Sequence, residues 1–120
     1  MLIIKDIIWI SEEIGEADVI VTDGNYEIRC FSHPFHQKKG EEVSGTLSVF
    51  KHSNLMRSKT TKYISEHLGN GKYFLVARLL DAEEGIVQIG EMQIHDIEGI
   101  PEEIEKGEYI QFIAPRVDLW

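Results

Sequence analysis

Only one cysteine, Cys30, stands in the 120 residues, so no internal disulfide can form and the fold has to be held by packing. A lone thiol fits a reducing compartment, and the expected location is cytoplasmic. Long hydrophobic runs are also missing. Met1-Leu2-Ile3-Ile4 is interrupted at once by Lys5 and Asp6, which suits neither a membrane span nor a signal-peptide core, so no membrane association is expected. There are three prolines and no Pro/Gly/Ser-rich linker, internal repeat or low-complexity tract that would divide the chain. Residues 1–120 are therefore expected to form a single domain, long enough to bury a core without a metal or a cross-link.

Catalytic signatures are absent as well. Gly69-Asn70-Gly71-Lys72 lacks the earlier glycine of a phosphate loop, and Tyr73 stands where Ser or Thr would hold magnesium. No G-x-S-x-G elbow and no H-E-x-x-H helix occurs. The chain is not expected to be an enzyme, and no cofactor is implied. Positive charge is scarce too, with 12 Lys and Arg against 21 Asp and Glu, a net −9. The imbalance is uneven: residues 1–32 carry 2 against 7, residues 33–80 carry 8 against 3, and residues 81–108 carry 1 against 10, giving −5, +5 and −9. An acidic total disfavours non-specific binding to nucleic acid, which rests on neutralising phosphates. A protein with a basic surface is the expected partner instead.

What the chain does contain is period-two alternation in short segments separated by turn residues, the pattern of strands. Leu2–Ile10 is apolar and rich in β-branched residues; Ala17–Thr22 and Tyr26–Ser32 alternate on either side of Asp23-Gly24-Asn25, a hairpin turn. Glu42–Lys51 reads as a further strand, pairing with 26–32 around the intervening loop. Thr60 or Thr61 can cap a short helix whose apolar face holds Tyr63, Ile64, His67 and Leu68, with Gly69 ending it. Tyr73–Leu80 is apolar almost throughout and is expected at the centre of the sheet. In Ile86–His95 the apolar parity slips at Gly90, which predicts a β-bulge in one strand. Pro101–Glu105 predicts one helical turn and Tyr109–Leu119 a final strand.

Three strands, a short helix and two strands is the element order of OB-type barrels. The fold expected is therefore all-β with one short helix. It would be a small closed or partly open antiparallel barrel of OB-like order, with extra strands at the N- and C-termini.

Chemistry concentrates in the segment Cys30–Gly40. Cys30, His33 and His36 supply thiolate and imidazole at a spacing that suits zinc, although no fourth ligand lies nearby. His33, His36, Lys38 and Lys39 could also converge on an anion, with Arg57, Lys59 and Lys62 contributing if the fold brings them close. Asp81, Glu83 and Glu84 crowd one turn, and His67 and His95 form a conceivable acid–base pair. Tyr26, Phe31, Phe50, Tyr73 and Phe74 are of a type that stacks on bases.

Weighed together, these features point to a small, soluble, acidic and non-catalytic binding module. It would recognise a basic-surfaced protein as an inhibitor or accessory subunit, through the acidic runs Glu12–Asp18, Asp81–Glu84 and Glu98–Glu108. Glu98, Glu102, Glu103 and Glu105 are the residues expected to meet the partner. The alternatives are a small-ligand, anion or metal binder using the Cys30–Gly40 loop, and an OB-like binder of single-stranded nucleic acid. The protein itself would be a monomer or a homodimer paired through the terminal strands.

Overall fold

Eleven strands and no helix make up the computed structural model, which describes residues 1–120. They are β1 (Ile3–Ser11), β2 (Glu16–Thr22), β3 (Glu27–Ser32), β4 (Leu47–Val49), β5 (Ser53–Arg57) and β6 (Ile64–Gly69), followed by β7 (Lys72–Asp81), β8 (Ile86–Ile89), β9 (Met92–His95), β10 (Tyr109–Ala114) and β11 (Val117–Leu119). Alternation decides the faces. In β2, Ala17, Val19 and Val21 are buried, and Ile28, Cys30 and Ser32 of β3 point the same way. The β2–β3 hairpin turns at Asp23-Gly24-Asn25 as expected, with Thr22 opposite Glu27.

β7 is the organising strand. Tyr73, Leu75, Val76, Ala77 and Leu79 are buried, in keeping with its nearly continuous apolar run. It pairs with β10 along one edge and with β6 and then β8 along the other. Every strand except β5 and β6 contributes to one cluster of 24 buried residues.

All strands belong to one sheet, ordered β1-β2-β3-β11-β4-β9-β8-β7-β10-β5, with β6 attached to β7. The all-β expectation holds, but the sheet is mixed and open. β3–β11 and β4–β9 are parallel, so it is not the purely antiparallel sheet expected, and no OB-like order emerges. β3 meets β6 and the start of β7 without forming a ladder. Side chains span the gap instead: the Arg29 N–H donates to Tyr73 Oη at 2.8 Å, and Ser65 Oγ–H donates to the Glu27 carbonyl at 2.8 Å. No helix in the chain is long and apolar enough to cross a membrane.

The remaining differences follow from turn chemistry and long-range pairing. The predicted helix at 60–69 is the strand β6, because Asn70 and Gly71 take φ of 53° and 77° and make a two-residue hairpin to β7. The predicted bulge at Gly90 is a second such hairpin. Ile89 faces Met92 across Gly90-Glu91, which puts Val87, Ile89, Met92 and Ile94 on the same buried face and accounts for the parity slip. At 101–105 there is a hydrogen-bonded turn, Ile104 N–H to Pro101 O at 3.1 Å, in place of helix. The final strand breaks at Pro115-Arg116, so that β10 pairs with β5 and β7 while β11 slots between β3 and β4. Residues 26–32 and 42–51 therefore do not form a hairpin, since β11 separates them.

Candidate functional site

Two acidic runs that lie apart in sequence meet at one end of the sheet. The β7–β8 turn carries Asp81, Glu83 and Glu84, all exposed. Segment 96–108 wraps around it, because Ile97 and Ile104 are buried and anchor the chain while their neighbours stay polar. The Ile97 N–H donates to Gly85 O at 3.0 Å, and the Gly107 N–H donates to Leu79 O at 2.8 Å. Gly85 has to be glycine here: with φ at +69° it lies against the Ile97 backbone, and a Cβ would come within 3.0 Å of the Ile97 nitrogen. Asp96, Glu98, Glu102, Glu103 and Glu105 are exposed on this wrapping segment. One carboxylate is neutralised. Glu108 accepts from the Glu105 N–H and then from Arg57, which together hold its carboxyl below the usual range, and Arg57 Nε lies 2.8 Å from Glu108 Oε2.

The Cys30–Gly40 segment is dispersed by the fold. Cys30 is buried and its thiol donates to the Val19 carbonyl at 3.2 Å. Burial, helped by the charges of Asp18 and Asp118, pushes the thiol up to about 12, so it stays protonated at neutral pH. The following residues are stitched to the β1–β2 turn, to β1 and to the residue before it. The Phe35 N–H donates to Gly15 O at 2.8 Å, the Gly40 N–H to Ile4 O at 2.8 Å and the Val43 N–H to Leu2 O at 2.8 Å. Phe35 is buried against Trp9, whereas His33, His36, Lys38 and Lys39 are exposed. No group of three or more His, Cys, Asp or Glu side chains is gathered at a spacing that could hold a metal ion, so Cys30, His33 and His36 do not come together.

His33 alone of that set reaches a hollow, which it lines with Phe31, Arg116, Asp118, Leu119 and Trp120. Sequence reasoning missed Arg116 and Asp118, because it took 109–119 for one strand. The signal was Pro115, which cannot donate to a ladder and marks the switch to β11. Register then places Asp118 beside Phe31 on β3 and Ser48 on β4.

Other candidates are separated or occupied. His67 pairs in register with Tyr73, near the start of β7, and His95 lies past Ile94, which faces Val87 beside the far end of β7. Some eight residues of β7 at ~3.3 Å each keep the two histidines far apart. Tyr26 and Tyr109 both pack on Tyr63, with ring centroids 5.5 and 5.6 Å apart. No family model matches the chain, and neither a curated protein nor a solved structure does.

Proposed function

We propose that the protein is a non-catalytic acidic binding module that recognises a basic-surfaced protein, as an inhibitor or an accessory subunit would. What supports this reading is the convergence of Asp81, Glu83 and Glu84 with Asp96, Glu98, Glu102, Glu103 and Glu105 at one end of the sheet. The cations of that region are few: Lys106 is the sole Lys or Arg of residues 81–108, Arg57 is engaged by Glu108, and Arg78 lies beside Gly107 and over the Tyr109 ring. A field of one sign on an exposed surface steers a partner of the other sign and weakens with salt.

For the anion reading of the Cys30–Gly40 loop, His33 lines a hollow and His36, Lys38 and Lys39 are exposed. Single-stranded nucleic acid suits the surface less well. Tyr26 and Tyr109 pack edge-on or tilted against Tyr63, the guanidinium of Arg116 lies over the Phe31 ring, and the net charge of −9 opposes phosphate.

The test is capture of a partner from extracts of the source cells at low ionic strength, followed by release with rising salt. The partner should be basic and salt-labile, and it should be lost when Glu98, Glu102, Glu103 and Glu105 are all changed to lysine. Absence of any salt-labile partner, or equal retention by the quadruple variant, refutes the proposal.

A further inference from the structure

We infer that Arg116 is the head of a second binding site, one that takes an oxyanion carried on a flat apolar group. This inference stands apart from the acidic end of the sheet and does not depend on it. The site is assembled by β11, whose Asp118 pairs in parallel register with Phe31 of β3.

Two contacts hold the Arg116 guanidinium in place. Its central carbon lies 4.5 Å from the centre of the Phe31 ring, and its Nε lies 2.6 Å from Asp118 Oδ1. Nη2 adds a longer contact of 3.3 Å to Asp118 Oδ2. Asp118 is the anchor, its side chain being only 8 % exposed, while that of Arg116 is 58 % exposed.

An arginine has five N–H donors in a planar fork, and this one spends few of them on Asp118. An exposed arginine normally loses rotamer freedom when it grips an anion. Here stacking and the buried carboxylate have already restricted it, which lowers that cost. The surroundings reinforce the sign. Lys51 lines the adjoining hollow with Phe50, Pro115, Arg116 and Asp118, so two cations and one carboxylate border it in a chain whose total is −9.

Size and chemistry give the ligand class. The hollow beside Phe31, His33 and Trp120 measures about 40 Å³, room for about three waters or one carboxylate or phosphate head. Its neighbour measures about 280 Å³, enough for a ring. Phe50 and Trp120 are 48 % and 69 % exposed and line these hollows, where they offer apolar faces to a ring.

The experiment is a titration of ¹⁵N-labelled full-length protein with acetate, inorganic phosphate, benzoate and phenyl phosphate, followed by amide chemical shifts. Saturable shifts are expected at Phe31, His33, Arg116 and Trp120, with benzoate and phenyl phosphate binding more tightly than acetate and phosphate. Arg116→Ala should weaken binding by roughly tenfold or more, and Arg116→Lys should recover only part of it, since lysine keeps the charge and loses the fork. Benzoate preferred to phenyl phosphate identifies a carboxylate source, and the reverse order a phosphate source, both within the proposed chemistry. Shifts that do not saturate, equal binding of bare and ring-bearing anions, or full retention in Arg116→Ala would overturn the assignment.

Discussion

Replacing Gly90 with alanine puts a methyl group where the structure has no room. Gly90 sits at φ +58° in the turn between β8 and β9, and an added Cβ would run into Asp23 Oδ2 and come within 2.8 Å of Tyr26 Cδ2. Asp23 cannot simply swing aside. Its Oδ1 accepts from the Asn25 and Tyr26 N–H groups at 2.8 Å each, and its Oδ2 accepts from the Glu91 N–H at 2.8 Å, tying the β2–β3 turn to the β8–β9 turn. The left-handed backbone costs an alanine about 1 kcal/mol. Displacing a carboxylate from backbone donors costs about 1–2 kcal/mol more. The sum, about 2–3 kcal/mol, corresponds to a drop in Tm of about 8–12 °C for a chain of this size.

Gly99→Ala is the control, because Gly99 has a similar φ of +67° and nothing within 4 Å of the added Cβ. It should show the backbone cost alone. Acid provides a second check. Partial burial raises the Asp23 carboxyl, but the backbone N–H donors outweigh it and hold the group below its ordinary 3.8. A depressed carboxyl contributes stability that is fully present above its unfolded value and is lost as pH falls through the folded one. The gap between Gly90→Ala and Gly99→Ala should therefore be widest near neutral pH and narrow below about pH 4. Thermal unfolding followed by circular dichroism measures both. Equal Tm values for the two variants at neutral pH would refute the role given to Asp23.

Tyr73→Phe removes the acceptor that spans the gap between β3 and β7. It should cost about 1 kcal/mol and speed hydrogen exchange at the Arg29 amide more than at Ile28 or Cys30; unchanged exchange at Arg29 would show that the hydroxyl is not the bridge. The Cys30 thiol, raised to about 12 by burial, should resist thiol reagents in native buffer at pH 8 and react only as the protein unfolds. Fast, complete labelling of the native protein would contradict that burial.

Strand content was legible wherever burial is decided by neighbours two residues away. Val19 and Val21, Ile28 and Cys30, and the run from Tyr73 to Leu79 declare their faces by alternation or by continuous apolarity. The turn at Asp23-Gly24-Asn25 was equally local. Asn70-Gly71 was a hairpin signal of the same kind, and it lost to a helical spacing of Tyr63, Ile64, His67 and Leu68 that turned out to be mostly surface. Glu66, His67 and Leu68 are exposed, because β6 is attached to the sheet by its backbone and buries little apolar side chain. β5 escaped notice for a related reason: Ser53, Asn54, Met56 and Arg57 show no alternation, and only pairing with β10 makes them a strand.

Composition and local pattern by themselves determined that strands dominate this acidic chain, with one nearly continuous apolar strand in the core and a loop crowded with His and Lys. They determined little about which residues meet. Backbone hydrogen bonds do not depend on side-chain identity, so alternation says that a segment is a strand without naming its neighbour. Only the tertiary structure inserted β11 between β3 and β4, which set Arg116 and Asp118 against Phe31. Only it folded segment 96–108 around the β7–β8 turn and joined two acidic runs. Alternation already placed Cys30 on the inward face of β3, and the fold left its expected partners His33 and His36 on the surface, because a thiol that packs inward cannot also face a solvent loop.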